Sequence, residues 1–191
     1  MGKILFINAC VRHNSRTLEL AQSVLGKMAG EVEEVKLYDS ELSPLTSTEM
    51  EIRDKAAKTK DFSNAIFALA KQFAAAENIV IAAPYWDLMF PAVVKMYFER
   101  ITVNGLTFCY GANGIPQGLC KGKRLIYVTT AGGPILHNLG YDYVSLLAKN
   151  FYGIDTVECV RAEGLDIYGA DVAKIMEEAK RSLDVFTGEN I

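Results

Sequence analysis

Residues 79–101 read IVIAAPYWDLMFPAVVKMYFERI, and they predict one strand, one loop and one helix in immediate succession. The run at 79–83 is apolar and rich in β-branched residues, which is typical of a parallel strand buried on both faces. Pro91 fits the first position of a helix, where a missing N–H leaves no bond unmade, and we expect the helix to cover 91–101. The stretch therefore predicts one βα unit of an α/β protein.

The same alternation of apolar strands and helical periodicity recurs along the chain. We predict strands at 3–9, 32–37, 79–83, 125–130 and 156–160, and helices at 17–28, 63–76, 91–101, 139–151 and 170–186. Each helix is long enough to cross over between parallel strands. The segment VEEVKL at 32–37 is polar and suits a sheet edge, which favours the strand order 2-1-3-4-5. The expected fold class is α/β: a flavodoxin-like three-layer sandwich with a five-stranded parallel sheet.

Two segments do not fit this minimal pattern. Segment 39–61 is polar and charged, with helical character in TEMEIRDKAAK, and we expect a surface excursion. Segment 104–122 is rich in glycine and carries Phe108 and Tyr110, so we expect a hairpin that covers a pocket or a partner. Together with Tyr97 and Phe98 on the preceding helix, these aromatic residues predict an apolar interface and a homodimer.

Composition and charge limit the function. The 191 residues are 50% hydrophobic, enough for one sizeable core, and we expect a single domain over 1–191. A net charge of −3 offers no basic surface, so we expect no nucleic-acid partner. We find no signal peptide and no apolar run near the ~20 residues of a membrane span, and we expect a cytoplasmic protein. The four cysteines form no CxxC pair and have no histidine at ligand spacing, so we expect no metal site.

The strand order places a ligand at the loops after the first, third and fourth strands, because the order reverses there. The first of these loops, CVRHNSRT at 10–17, runs directly into a helix. Ser15 and Thr17 offer hydroxyls, Arg12 or Arg16 offers a guanidinium, and the helix N-terminus attracts anions. The loop has neither the GxGxxG nor the GxxxxGKS/T pattern, which favours a phosphate monoester of the FMN type. A helix cap by Ser15 with solvated arginines is the alternative.

The loop after the third strand is aromatic and acidic, and its residues are Pro84, Tyr85, Trp86, Asp87 and Leu88. Aromatic side chains at this place are explained if they stack on a flat heterocycle while backbone amides reach its polar rim. Alternatively, Tyr85 and Trp86 fill the core or an interface, and Asp87 caps the helix that begins near Pro91.

The fourth strand ends in YVTTAGGP at 127–134. Gly132 and Gly133 let the backbone approach a ligand closely, and Thr129 or Thr130 adds a hydroxyl. A plain turn before Pro134 is the alternative. All three expected positions thus carry a loop of the ligand-binding type. Together the three loops are stronger evidence for a bound cofactor than any single loop would be.

These motifs resemble those of the flavodoxin-like NAD(P)H-dependent FMN oxidoreductases, especially the bacterial FMN-dependent NADH azoreductases, which are similar to mammalian quinone reductases. The resemblance covers nearly the whole chain. Its parts are SRT in the first loop, PYWDLMFPAVVKMYFERI after the third strand, GLTFCYGANGIPQGLCKGKR, and TTAGGP after the fourth strand. The fold expected from the strand pattern is also the fold that the resemblance implies.

The resemblance implies contacts for each part of FMN. Ser15, Arg16 and Thr17 would hold the phosphate. The residues that would line the isoalloxazine are Tyr85, Trp86, Asp87 and Leu88. Those that would close its other side are Thr130, Ala131, Gly132 and Gly133. We also expect Arg12 in the first loop and Pro84 before the aromatic pair to contact the cofactor. The resemblance also implies a homodimer and a ping-pong reaction, in which NADH or NADPH reduces the flavin and a quinone or azo compound reoxidises it.

The sequence leaves other readings open. His137 follows GGPIL closely enough to reach a substrate, and it is the candidate catalytic proton donor, with a surface or interface position as the alternative. Asp87 stands where azoreductases typically carry asparagine, and ACVR at 9–12 replaces their serine-rich start of the first loop. A flavodoxin-type electron carrier and a flavin-free regulatory protein on the same fold are the alternative functions.

Overall fold

The sheet follows the predicted topology. The computed structural model describes residues 2–186, and its strands in chain order are β1 (Lys3–Asn8), β2 (Glu31–Lys36), β3 (Asn78–Ala82), β4 (Phe108–Tyr110), β5 (Pro116–Gly118), β6 (Arg124–Thr130) and β7 (Thr156–Ala162). Five of these strands form one parallel sheet in the order β2-β1-β3-β6-β7. The expected order 2-1-3-4-5 is confirmed, because β6 and β7 are the fourth and fifth predicted strands.

Helices connect the parallel strands. Within residues 2–186 they are α1 (Arg16–Leu25), α2 (Ser47–Thr59), α3 (Ala68–Ala75), α4 (Ala92–Ile101), α5 (Leu139–Leu147) and α6 (Val172–Phe186). A 3-10 segment, Ala65–Phe67, precedes α3, and a π-helical turn, Ala148–Tyr152, extends α5. None of the helices in this part of the chain has the length and hydropathy to span a bilayer. The single domain over 1–191 stays a prediction, of which residues 1 and 187–191 lie outside the described part.

Apolar clusters cover both faces of the sheet. Successive residues of β1 point to opposite faces, so Leu5 and Ile7 pack with the side chains of α3, α4 and α5, whereas Ile4 and Phe6 pack with α1 and α6. In β2 the only buried residue is Val35, which agrees with its place at a sheet edge. The result is the expected three-layer sandwich.

Helix α4 buries its aromatic residues in the core. Its buried side chains recur at helical spacing and are Val93, Val94, Tyr97, Phe98 and Ile101. Tyr97 is 0% exposed and Phe98 is 1% exposed. The expectation that these two residues form part of a dimer interface is therefore wrong, because they belong to the core stripe of an amphipathic helix.

The excursion at 39–61 contains α2 and is fastened to α4 by arginines. The Arg100 guanidinium donates to the Glu49 carboxylate and to the backbone oxygen of Ser43. Arg53 donates to the backbone oxygen of Glu99 at 2.9 Å. Since Thr46 and Glu49 also form a capping box, α2 has a defined start and a fixed position.

The segment at 104–122 contains the expected hairpin, formed by β4 and β5. The hairpin packs on the π-helical turn after α5, where the rings of Phe108 and Phe151 lie 5.1 Å apart. A Cβ atom at Gly118 would lie 2.2 Å from the backbone of Tyr152 and Gly153, so a side chain does not fit there. The hairpin is thus an integral part of the fold, although Tyr110 at its outer end is 56% exposed.

Candidate functional site

A cavity of about 330 Å³, the polar cavity, lies where the loops after β1, β3, β6 and β7 meet. The predicted site residues that line it are Arg12, Ser15, Arg16, Thr17, Pro84, Tyr85, Trp86, Thr130, Ala131 and Gly132. Four further lining residues were not predicted: Val11, Asn14, Leu165 and Asp166. The carboxyl end of the sheet thus brings the three predicted loops together, as the strand order requires.

Ser15 caps helix α1 and faces the polar cavity at the same time. Its extended backbone (φ −80°, ψ 119°) stops the helix, and its Oγ accepts a hydrogen bond from the Leu18 N–H at 3.2 Å. The hydroxyl proton remains able to donate to a ligand. The amides of the first helical turn lack intrahelical acceptors and add positive partial charge. The cap and the anion site are therefore compatible, and one serine serves both.

Thr17 and Thr130 join the first and third loops of the cavity. Their hydroxyl oxygens lie 2.6 Å apart, and Thr17 is buried. One hydroxyl donates to the other, so the accepting hydroxyl keeps a proton that can be donated into the cavity. This bond fixes the start of α1 against the end of β6. Thr129, the other threonine considered for this loop, is buried and does not line the cavity.

Arg16 is paired with an acid that the sequence did not single out. Its Nη1 lies 2.8 Å from Asp166 Oδ1 and donates to the backbone oxygen of Leu165 at 3.3 Å. Arg12 also lines the cavity and is exposed. Asp166 escaped prediction because it follows β7, the last strand, and the strand order pointed only to the loops after the first, third and fourth strands.

The loop after β3 makes a tight turn in a left-handed backbone. Trp86 and Met89 exchange two backbone hydrogen bonds, of 2.9 and 2.8 Å, around Asp87 and Leu88. These two central residues have φ values of 51° and 69°, as in a type I′ turn. Leucine is strained in this region, and such strain persists only where the surroundings impose it. The turn projects the side chains of Trp86, Asp87 and Leu88 into solvent beside the cavity.

The exposure of this turn tests two alternatives, that Trp86 fills the core and that Asp87 caps the next helix. Trp86 is 39% exposed and lines the polar cavity, so the alternative that it fills the protein core is wrong. The N-cap of α4 is Pro91, and no side chain makes a cap hydrogen bond there, so Asp87 does not cap this helix. The Asp87 carboxylate therefore lies beside the polar cavity and does not serve as a helix cap.

The backbone after β6 is held by the loop after β7. Leu165 N–H donates to the Ala131 oxygen, and Asp166 N–H donates to the Gly132 oxygen. A Cβ atom at Gly132 would lie 2.3 Å from Asp166 Oδ2, whereas one at Gly133 would meet open space. A side chain therefore does not fit at Gly132 while Asp166 keeps this position, whereas the space beside Gly133 is open. The close approach of either glycine to a ligand stays a prediction.

His137 lies outside the lining of the polar cavity. Its backbone oxygen accepts a 2.9 Å hydrogen bond from the Tyr85 hydroxyl, and the residue is exposed. Leu136 beside it is 79% exposed. The structure therefore brings the main chain of His137 to the aromatic loop while its imidazole faces solvent.

A second cavity of about 760 Å³, the apolar cavity, adjoins the first through Trp86, which lines both. Its walls come from the loop after β2 and from the turn and helix after β3, and they include Tyr38, Met89, Phe90 and Met96. A phosphate fits the polar cavity, which offers a hydroxyl, two guanidinium groups and a helix start. Aromatic walls beside it suit a flat apolar group. The donor set thus fits an aromatic phosphate monoester such as FMN.

The structure does not support a reactive cysteine or a metal ion at this site. Burial raises the pKa of the Cys10 thiol, which disfavours a reactive thiolate. Within residues 2–186, no group of three or more His, Cys, Asp or Glu side chains is placed to hold a metal ion. The polar and aromatic groups around the two cavities are therefore the functional candidates.

Comparison with known proteins agrees with the fold. The model of a family described by its flavodoxin-like fold matches residues 2–186. An FMN-dependent NADH:quinone oxidoreductase of Coprothermobacter proteolyticus is 32% identical, over 96% of this chain and 97% of the relative. A second, from Clostridium acetobutylicum, is 33% identical over 97% of this chain and 100% of the relative.

Solved structures show the same fold. An azoreductase from Bacillus anthracis superposes with a TM-score of 0.85 at 24% identity and covers 100% of both chains. An FMN-dependent NADH-azoreductase from the same species, in complex with FMN, has a TM-score of 0.81 at 21% identity over 98% of both chains. From the match to the family model and the full-length relatives, the chain belongs to the flavodoxin-like family, together with the FMN-dependent NADH:quinone oxidoreductases.

Proposed function

We propose that the protein is an FMN-dependent NADH:quinone oxidoreductase that also reduces azo compounds. The observation that carries the proposal is the polar cavity, in which a helix N-terminus, the Ser15 hydroxyl and two arginines adjoin aromatic walls through Trp86. The full-length similarity to relatives with this activity supports it. The electron-carrier and regulatory alternatives have no comparable support.

The chain's own residues bind and orient the cofactor. Ser15, the first amides of α1 and the guanidinium groups of Arg12 and Arg16 hold the phosphate, and the Thr17–Thr130 pair donates one further hydrogen bond. The ring lies against the turn at 84–88, where Trp86 borders both cavities, and the backbone at 130–133 closes its side towards the polar cavity. When bound, FMN supplies the hydride-transfer chemistry, with NADH as the donor. The protein's task is to orient the reactants and to shield them from water.

We also propose that two copies of the chain form a homodimer around the site. Exposed apolar side chains on the hairpin and near the cavity mouth support this: Tyr110, Ile115, Leu119 and Leu136. Tyr97 and Phe98 are buried in the core and are not part of this apolar surface. Sedimentation of the flavin-loaded protein at micromolar concentration tests the proposal, and a monomer with full turnover would contradict it.

We further propose that His137 donates a proton to the acceptor, that the protein is cytoplasmic and that it binds no nucleic acid. The Tyr85 hydroxyl holds the main chain of His137 near the turn, from which the imidazole could donate a proton to a reduced acceptor. A cytoplasmic location fits the four free cysteines and the use of NADH. The net charge of −3 argues against a nucleic-acid partner.

Steady-state kinetics test the activity. NADH oxidation should require both FMN and an acceptor, either a benzoquinone or an azo dye, and double-reciprocal plots at several acceptor concentrations should be parallel, as for a ping-pong reaction. NADPH serves as the comparison donor, and we expect NADH to be preferred. A protein that binds FMN but does not oxidise NADH with either acceptor would behave as an electron carrier and contradict the proposal.

A further inference from the structure

We propose that Asp166 competes with the phosphate of the cofactor for Arg16, and that this carboxylate limits how strongly the site prefers FMN to unphosphorylated riboflavin. The inference rests on the proposed function, because it requires the flavin phosphate to enter the polar cavity. Neither the sequence motifs nor the resemblance assigns a role to Asp166.

Arg16 and Asp166 both line the polar cavity and form an ion pair there. Arg16 opens helix α1, whereas Asp166 comes from the loop after β7, and the contact between Nη1 and Oδ1 measures 2.8 Å. The two side chains are 40% and 68% exposed, so water screens the pair. Exposed pairs of this kind change an equilibrium constant by about fivefold or less. A ligand with a stronger charge can therefore displace the carboxylate from the guanidinium.

The position of Asp166 does not depend on Arg16 alone. Its N–H donates to the Gly132 oxygen at 2.9 Å, so a backbone hydrogen bond that does not involve Arg16 holds the residue at the cavity wall. The carboxylate therefore stays near the anion site after losing its partner. A phosphate that binds Arg16 replaces the Asp166 contact and also meets the negative charge of that residue at short range.

The charges that line the polar cavity give the direction of the effect. Among the described residues of the lining, Arg12 and Arg16 are positive and Asp166 is negative. Removal of the negative charge frees Arg16 for the phosphate and removes the repulsion. Riboflavin has no phosphate and leaves the pair intact, so its affinity reports any change in the rest of the site. The ratio of the two affinities isolates the role of Asp166.

Flavin fluorescence titrations of the full-length chain, freed of bound flavin, test the proposal. We expect Asp166→Asn to bind FMN about fivefold more tightly than wild type, with riboflavin affinity unchanged within about twofold. The gain in FMN affinity should shrink in high salt, which screens charges. Asp155→Asn is the matched control, because Asp155 is an exposed acid just before β7, at the amino end of the strand, whereas the polar cavity lies at the carboxyl end of the sheet. It should leave both affinities unchanged.

A double variant, Arg16→Gln with Asp166→Asn, distinguishes competition for Arg16 from simple charge repulsion between Asp166 and the phosphate. In an Arg16→Gln background the competition is absent, so Asp166→Asn should increase FMN affinity less than it does in wild type. An equal gain in both backgrounds, an unchanged ratio of FMN to riboflavin affinity, or weaker FMN binding by Asp166→Asn would each overturn the proposal. A wild-type chain that binds no FMN would instead contradict the proposed function, so the two failures are distinguishable.

Discussion

At the strained turn after β3 we expect a glycine variant to be more stable than an alanine variant, which is the opposite of the usual order. Leu88 has a φ of 69° and is 51% exposed. We compare Leu88→Gly with Leu88→Ala, because both variants lose nearly the same side-chain contacts. Their difference therefore reports the backbone alone. At ordinary positions glycine is less stable than alanine by about 0.5–1 kcal/mol, because the unfolded chain with glycine has more conformational freedom.

At residue 88 the left-handed backbone adds a term of opposite sign. A Cβ atom in this conformation costs about 1–2 kcal/mol, a cost that glycine does not have. Subtracting the mid-range entropic advantage of alanine, about 0.75 kcal/mol, from a mid-range backbone cost of about 1.5 kcal/mol leaves Leu88→Gly more stable than Leu88→Ala by roughly 0.75 kcal/mol. In a chain of this size that corresponds to a melting temperature about 1–4 °C higher. Thermal unfolding of the flavin-free variants, followed by circular dichroism, measures the difference.

Leu136 provides the matched control for this comparison. It is also an exposed leucine near the site, at 79%, and it is not among the described residues with positive φ. There the alanine variant should be the more stable of the two. If Leu88→Ala is as stable as Leu88→Gly or more stable, the left-handed turn does not exist in solution. The backbone at residue 88 would then store no strain.

The remaining predictions concern redox tuning, acid stability and phosphate binding. Asp87→Asn should raise the midpoint potential of bound FMN by roughly 15–60 mV, because the carboxylate repels the charge gained on reduction, and a potential equal to wild type would show that Asp87 does not tune the flavin. The Arg100 and Thr46 contacts lower the pKa of Glu49 to about 2, so its stabilising effect is present above the ordinary value of 4.5 and is lost as pH falls towards 2. Urea unfolding should therefore show Glu49→Gln to be less stable than wild type at pH 6 and equal to it near pH 2, and a constant difference across this range would refute the linkage. Ser15→Ala should lower stability by about 1 kcal/mol through loss of the helix cap, and it should weaken FMN binding more than riboflavin binding. Equal loss of both affinities would argue against a phosphate contact.

The sequence predicted the sheet and most of the cavity because both depend on local patterns. Continuous apolar runs marked β1 and β3, and the polar residues of β2 marked the edge. The structure shows Ser15 at the helix cap that local pattern offered as the alternative, because a hydroxyl residue before a helix commonly takes this position, and its contact with a phosphate stays a prediction. Tyr97 and Phe98 were misplaced, although the spacing of apolar residues on α4 already indicated a core stripe.

Two features of the site could not be predicted from local pattern. Asp166 meets Arg16 across 150 positions of sequence, a contact that only the tertiary fold determines. Asp87 and Leu88 adopt a type I′ turn without the Asn-Gly pair that usually announces one. The surrounding loop and the two hydrogen bonds between Trp86 and Met89 impose this conformation against local preference.

Anaerobic reduction of the purified protein tests the central claim most directly. The FMN-loaded protein is mixed with NADH under nitrogen, and the flavin absorption is followed before and after a quinone is added. We expect the absorption to bleach with about one NADH consumed per flavin and to return when the quinone is added. A protein that takes up no FMN, or whose bound FMN keeps its absorption in the presence of NADH, would contradict the account.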